Sequence, residues 1–153
     1  MPDTAAPGPG PRAPKGEGRA IAPNDCTTKG DLVATILIVE DNVFIREVAE
    51  MIVQDLGHNT FAASDQDEAL SFLRSSEAID ALFTDIYLKE TVLGGCELAT
   101  QARLLRPDLR VLYTTGNSLT EKMRSLFIDG THFLSKPYSP RQLQDSVEHM
   151  LAA

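Results

Sequence analysis

Cysteine, long apolar runs and positive charge are all scarce in this chain of 153 residues, and each scarcity removes a class of function. The two cysteines, Cys26 and Cys96, lie far apart and form neither a CxxC pair nor a disulfide framework, so they read as incidental thiols. No stretch approaches the roughly 18 consecutive apolar residues that a bilayer span needs. The N-terminus also lacks the charged-then-apolar layout of a signal peptide. The expected location is therefore the cytoplasm, with no membrane partner. Lys and Arg number 14 against 22 Asp and Glu, a formal net charge of -8. Such a surface cannot neutralise a phosphate backbone, which argues against direct DNA binding and favours a cation or a protein as partner.

Proline and glycine are also sparse after residue 30, because six of the nine prolines and five of the ten glycines lie within residues 1–30. That first stretch has Ile21 as its only branched aliphatic residue and cannot bury enough surface to offset its ordering entropy. Residues 1–30 are expected to be a disordered Pro/Gly-rich tail, and 31–153 a single domain. The acidity belongs to the domain, since bases outnumber acids by one in the tail.

What remains is an alternation. Short apolar runs predict strands over Val33 to Val39, Asn59 to Ala63, Ala81 to Thr84, Arg110 to Thr114 and Thr131 to Ser135. Between them lie segments of helical period. The first carries Phe44, Val48, Met51, Ile52 and Leu56, with Gly57 placed for a left-handed helix end. Ser64 can cap a second, containing Ala69, Leu70 and Leu73; Leu98, Ala102 and Leu105 mark a third before Pro107. Ser118 can cap a fourth with Leu119, Met123, Leu126 and Phe127. Ser139 can cap a fifth with Leu143, Val147, Met150 and Leu151, where Pro140 fits the first turn. Continuous apolar strands alternating with helices are the pattern of a parallel sheet covered on both faces, an α/β domain wound by right-handed crossovers.

In such a sheet the carboxyl ends of the strands share one edge, where open α/β folds bind their ligands. Here those ends read Glu40-Asp41, Asp85, Thr115-Gly116 and Lys136-Pro137. Three carboxylates together repel one another unless they share protons or hold a cation. Oxygen donors without His or Cys favour Mg²⁺, which binds through a couple of carboxylates and a phosphate. Asp85 is then a nucleophile toward a phosphoryl group, Lys136 a positive charge for its oxygens and Thr115 a hydroxyl donor. Taken singly, each acid could simply cap the helix that follows it. The combination at successive strand ends makes that bland account improbable.

Other α/β chemistries fail on local detail. The turn Glu40-Asp41-Asn42-Val43 lacks the glycines of a dinucleotide cradle. An Asp-nucleophile phosphatase would want a second acid two residues after Asp85, where Tyr87 stands. Carboxylates after the first strand would repel a flavin phosphate. His58, His132 and His149 lie off the pocket.

From Leu32 to Ala153 the chain resembles the receiver domain of two-component response regulators. The resemblance rests on Glu40-Asp41, Phe83-Thr84-Asp85, Tyr113-Thr114-Thr115-Gly116 and Ser135-Lys136-Pro137. It implies a flavodoxin-like (βα)5 three-layer sandwich with strand order 2-1-3-4-5, and Asp85 accepting a phosphoryl group from a phosphohistidine on a sensor histidine kinase or histidine phosphotransfer protein. It further implies Mg²⁺ ligation by Asp41, Asp85 and the backbone carbonyl of Tyr87, with Glu40 acting through water, and a cis bond before Pro137. Thr115 rather than Thr114 matches the family's hydroxyl, which directly precedes a small residue. Phe133 matches the aromatic switch that responds to Thr115.

Three departures stand out. Glu40 replaces the commoner Asp, Lys89 stands where a proline is usual, so that the loop to Gly95 is expected to be longer and looser, and Phe133 lacks the hydroxyl of many relatives. None removes a reactive group.

Since the chain stops after the fifth helix, the expected output is a phosphorylation-controlled surface formed by the fourth helix, fifth strand and fifth helix, read by a downstream protein. Lys122, Arg124, Tyr138 and Arg141 would lie on it. A phosphate sink or relay, in which turnover of phospho-Asp85 is itself the function, and a constitutive receiver-like adaptor are the alternatives. None is an enzyme in the ordinary sense, because the phosphoryl group is made and lost on the protein itself.

Overall fold

The computed structural model describes residues 33–88 and 93–152. The expected tail over residues 1–30 and positions 89–92 of the expected loop lie outside the described residues. Five strands and five helices alternate: β1 (Thr35–Val39), α1 (Val43–Asp55), β2 (Asn59–Ala63), α2 (Gln66–Arg74), β3 (Ala81–Asp85), α3 (Gly94–Leu105), β4 (Arg110–Thr115), α4 (Glu121–Ser125), β5 (His132–Ser135) and α5 (Pro140–Ala152). All pairings are parallel, in the order β2-β1-β3-β4-β5. The flavodoxin-like expectation holds.

Strand β3 sits centrally and is buried along its whole length, which is why Ala81-Leu82-Phe83-Thr84 reads as a continuous apolar run instead of an alternating one. Alternation sends Leu82 toward one face of the sheet and Phe83 toward the other. On the first face Leu37, Val39, Leu82, Val111 and Tyr113 meet α2 and α3. On the second Ile36, Ile38, Phe83, Leu112 and Leu134 meet α1 and α5. The register aligns Val39 with Thr84, Asp85 with Thr114, and Thr115 with Ser135, so the four polar strand ends finish at nearly one level.

The helices depart from expectation in instructive ways. In α1 the buried residues are Ala49 and Val53, while Phe44, Val48 and Met51 are 75%, 48% and 61% exposed. The helix is apolar around most of its circumference, so the 3-4 spacing is satisfied by two stripes, and the smaller residues face the sheet. The α2 cap is Asp65 instead of Ser64: Asp65 accepts from the Glu68 backbone N–H, while Ser64 donates from both backbone and hydroxyl to the Glu68 carboxylate. Helix α4 starts later than expected, with Thr120 instead of Ser118 accepting the Met123 N–H at 3.1 Å. Ser118 and Leu119 stay outside it. Leu105 and Leu126 are exposed. Helix α5 follows its expectation: Ser139 and Gln142 exchange side-chain-to-backbone hydrogen bonds, Pro140 opens the first turn, and Leu143, Val147 and Met150 are buried. Gly57 closes α1 at φ +97 as anticipated.

Candidate functional site

Asp85 ends β3 with only 6% of its surface exposed, and both of its carboxylate oxygens are engaged. Oδ1 accepts the Tyr87 backbone N–H at 3.1 Å, and Oδ2 accepts from Lys136 Nζ at 2.8 Å. Glu40 ends β1 beside it, buried, with Oε1 on the same Lys136 Nζ at 2.9 Å and Oε2 on the Asn42 N–H at 3.1 Å. Arg46 of α1 donates to the Glu40 backbone carbonyl. The ammonium thus bridges two carboxylates across 96 and 51 residues of sequence. Glu40, Asp41 and Asp85 each present a carboxylate oxygen, and these oxygens lie within 4.8 Å of one another.

Burial determines the electrostatics. Desolvation raises the Glu40 carboxyl above its ordinary range, and the hydrogen bonds from Lys136 and Asn42 recover only part of the loss. Burial also works against the Lys136 ammonium, but the hydrogen bonds and charges of Asp85 and Glu40 outweigh it, and its pKa is raised. Tyr138 is pushed up to about 12 by burial and then by the Glu40 charge. A cluster of three carboxylates with one ammonium and no imidazole or thiolate fits a hard divalent cation held by oxygen.

The other strand ends complete the edge. Thr115 is 1% exposed; its hydroxyl accepts the Asn117 N–H at 3.2 Å and its carbonyl accepts the Lys136 N–H at 3.0 Å. The Thr114 hydroxyl is buried and finds no hydrogen-bond partner among the described residues. The Lys136-Pro137 peptide is cis. Glu40, Asp41, Asp85 and Lys136 are therefore brought together, Thr115 adjoins them through the backbone, and Tyr87 is tied to them by its N–H. Phe133 lies farther down β5, half-buried.

The structure adds contacts that the sequence did not announce. Phe133 stacks with Phe127 at 6.3 Å between ring centroids, and Phe127 with Tyr113 at 4.2 Å, so a file of three rings joins β5 through the segment after α4 to the residue two before Thr115. Aromatics spread over 20 positions carry no sequence signal of stacking. Tyr138 faces the α1 side, its ring 6.2 Å from that of Phe83, and not the face of α4, β5 and α5 on which it was expected. There it lines a groove of about 400 Å³ with Phe44, Ile45, Val48, Gly116, Lys136 and Pro137. Lys122, Arg124 and Arg141 are exposed as expected. His58 accepts the Ala34 N–H at the opposite edge of the sheet, and His132 and His149 pair edge-to-face, all away from the pocket.

The chain is similar to known proteins in sequence and in fold. A sensor kinase, CckA of Brucella abortus, is 29% identical over 120 residues, covering 77% of this chain and 12% of the kinase. The chain spans half or less of the length of the curated relatives it matches. Among solved structures, a response regulator receiver protein from Sinorhizobium medicae superposes with TM-score 0.72 at 28% identity, covering 79% of this chain and 96% of that one. A CheY-like receiver domain from Methanospirillum hungatei gives 0.69 at 25% identity, with 79% and 95% covered. The family described as the response regulator receiver domain matches residues 36–148. With the parallel five-stranded fold and the carboxylate–lysine cluster at its carboxyl edge, the chain belongs to the response regulator receiver domain family.

Proposed function

We propose that this protein is a phosphoacceptor switch in which Asp85 receives a phosphoryl group from a phosphohistidine of a sensor histidine kinase or histidine phosphotransfer protein. The observation that carries the reading is the bridging of Glu40 and Asp85 by Lys136 Nζ at 2.9 and 2.8 Å within reach of Asp41. Nothing about folding requires three acids at one buried edge, and such a cluster is worth its repulsion only if it binds charge.

In the transfer an Asp85 carboxylate oxygen forms a bond to phosphorus as the P–N bond of the donor breaks, and the imidazole leaves with the electron pair. Lys136 neutralises charge on the phosphoryl oxygens, and Thr115 donates its hydroxyl to one of them. Asp41, Asp85 and the Tyr87 carbonyl would hold Mg²⁺, with Glu40 contributing through water. The cation would supply further neutralisation of phosphoryl charge. Burial of Asp85 excludes competing water from the rest of the carboxylate.

The groove beside Lys136 supports a protein donor. It is open and apolar, and it continues onto the exposed side chains Phe44 and Val48, a surface that a helix flanking a phosphohistidine can cover. The ring file of Phe133, Phe127 and Tyr113 supports a switch: displacement of Thr115 toward a phosphoryl group would be felt through Tyr113 by the segment after α4 and by β5. The reader of that face would be a downstream protein.

The test is labelling with acetyl phosphate and Mg²⁺. The wild-type chain is expected to form an acid-stable, alkali-labile acyl phosphate, and Asp85→Asn none. Label that survives in Asp85→Asn, or a wild-type chain that takes none, overturns the assignment.

A further inference from the structure

Helix α3 opens with Gly94 and Gly95, and Gly95 rests on the peptide that joins Asp85 to Ile86. A Cβ built on Gly95 would fall inside contact distance of the Asp85 carbonyl oxygen, and would lie 2.9 Å from both the Asp85 carbonyl carbon and the Ile86 Cα. All three are backbone atoms, which cannot rotate aside as the end of a side chain can. At Gly116, in contrast, an added Cβ would make only ordinary contact with Lys136, at 3.8 Å. Glycine in a helix is less favourable than alanine by about 1 kcal/mol, and Gly95 has no left-handed φ to require it. What it provides is close approach.

The peptide it touches is held on its other sides. Ile86 N–H donates to the Thr114 carbonyl at 2.8 Å, the Asp85 carbonyl accepts the Thr84 hydroxyl at 3.0 Å, and the Ile86 carbonyl accepts the Gly95 N–H at 2.9 Å. One residue later the Tyr87 N–H fixes Asp85 Oδ1, leaving Oδ2 to Lys136. The direction of the carboxylate is thus referenced to a peptide on which the first turn of α3 sits.

We infer that Gly95 is a positioning residue for the phosphoacceptor: the bare Cα sets the height of α3 over the Asp85–Ile86 peptide, and through it the aim of the Asp85 carboxylate. The inference rests on the reading of Asp85 as phosphoacceptor. Alanine at 95 must push α3 and the Asp85–Ile86 peptide apart, and a misplacement on the order of an ångström can slow an aligned reaction about 100-fold.

The experiment compares the full-length wild type, Gly95→Ala and Ala102→Gly, the last a destabilising change two turns further along the same helix. Each is labelled with acetyl phosphate at saturating Mg²⁺, below its melting temperature. The maximal labelling rate of Gly95→Ala is expected to fall about tenfold or more, while Ala102→Gly stays within about twofold because loss of stability alone does not turn the carboxylate. A folded Gly95→Ala labelling at the wild-type rate overturns the inference and leaves the phosphoacceptor reading standing. A wild type that takes no label fails that reading, and the inference with it. Should Gly95→Ala not fold, the wild type decides: the Gly95 amide resonance is expected to shift on addition of beryllofluoride with Mg²⁺, and an unmoved resonance at saturation overturns the inference.

Discussion

Helices α1 and α5 have the same length, 13 residues each, pack side by side on the same face of the sheet, and use their apolar residues in opposite ways. Helix α5 buries Leu143, Val147 and Met150 and turns Arg141, Gln142, Asp145, Glu148 and His149 outward. Helix α1 buries the small Ala49 and Val53 and leaves Val43, Phe44, Val48 and Met51 in solvent. Core formation accounts for α5 completely. It does not account for α1, whose outward apolar stripe runs into the groove beside Lys136. One helix anchors the fold, and the other carries a surface that folding alone would have made polar.

The strongest way to break this contrast is to truncate both helices. Leu143→Ala in α5 is expected to lose about 2–5 kcal/mol of stability, the range for a fully buried leucine, as read by denaturant unfolding. Phe44→Ala should change stability by no more than about 0.5 kcal/mol. A comparable loss in both would show that the exposed stripe packs in solution.

Function sharpens the same pair. Phe44→Ala is expected to slow phosphoryl transfer from a phosphohistidine-bearing protein about tenfold, or about 1.4 kcal/mol, while labelling by acetyl phosphate is unchanged. Equal slowing with both donors would move Phe44 from docking to the chemistry.

A third change lies on the sheet beneath the two helices. Thr114 shares the face of Leu112 by strand alternation, and its buried hydroxyl has no partner among the described residues. Thr114→Val should therefore stabilise the domain by on the order of 1 kcal/mol, with Thr115→Val giving no such gain because its hydroxyl is bonded. A destabilised Thr114→Val would reveal a bond that the hydroxyl makes in solution.

The smallest effect concerns the junction between the helices at the far edge. His58 follows α1, accepts the Ala34 N–H at 3.0 Å and feels the charges of Glu148 on α5 and of Asp80. Burial lowers its pKa below the ordinary 6.5 despite those acids. The unfolded chain therefore takes up the proton first, so this contribution to stability is complete above about pH 6.5 and is lost as pH falls toward the folded-state value. His58→Gln should flatten the stability profile as pH falls below about 6.5. An unaltered profile would assign the dependence to the carboxylates.

The contrast also explains what the sequence made legible. Strand ends were readable because a buried parallel strand must be apolar until it leaves the core, so Glu40, Asp85, Thr115 and Lys136 mark their own positions. Helix α5 was readable because its one apolar stripe has one solution. Helix α1 was readable as a helix but not in its orientation, because nearly every turn offers an apolar residue, and periodicity cannot say which of two stripes faces the sheet when the buried one contains alanine. The start of α4 was placed too early because Ser118 is a competent cap by residue type, whereas the helix is capped by Thr120, two residues later. The closeness of Gly95 to Asp85 has no local signature, since it exists only once α3 has been laid over β3.

The three tyrosines have a practical consequence. Tyr87 stands two residues after Asp85, Tyr113 two before Thr115 and Tyr138 two after Lys136, and the chain has no tryptophan. Every strong near-ultraviolet chromophore therefore sits within two residues of a group proposed to handle the phosphoryl charge. Tyr113 lies in a stack 4.2 Å from Phe127, and Tyr138 lies in the field of Glu40, Lys136 and Asp85. Intrinsic tyrosine emission and near-ultraviolet circular dichroism thus become optical readouts of the pocket itself, so cation titration and phosphorylation kinetics can be followed on the unlabelled protein without an engineered fluorophore.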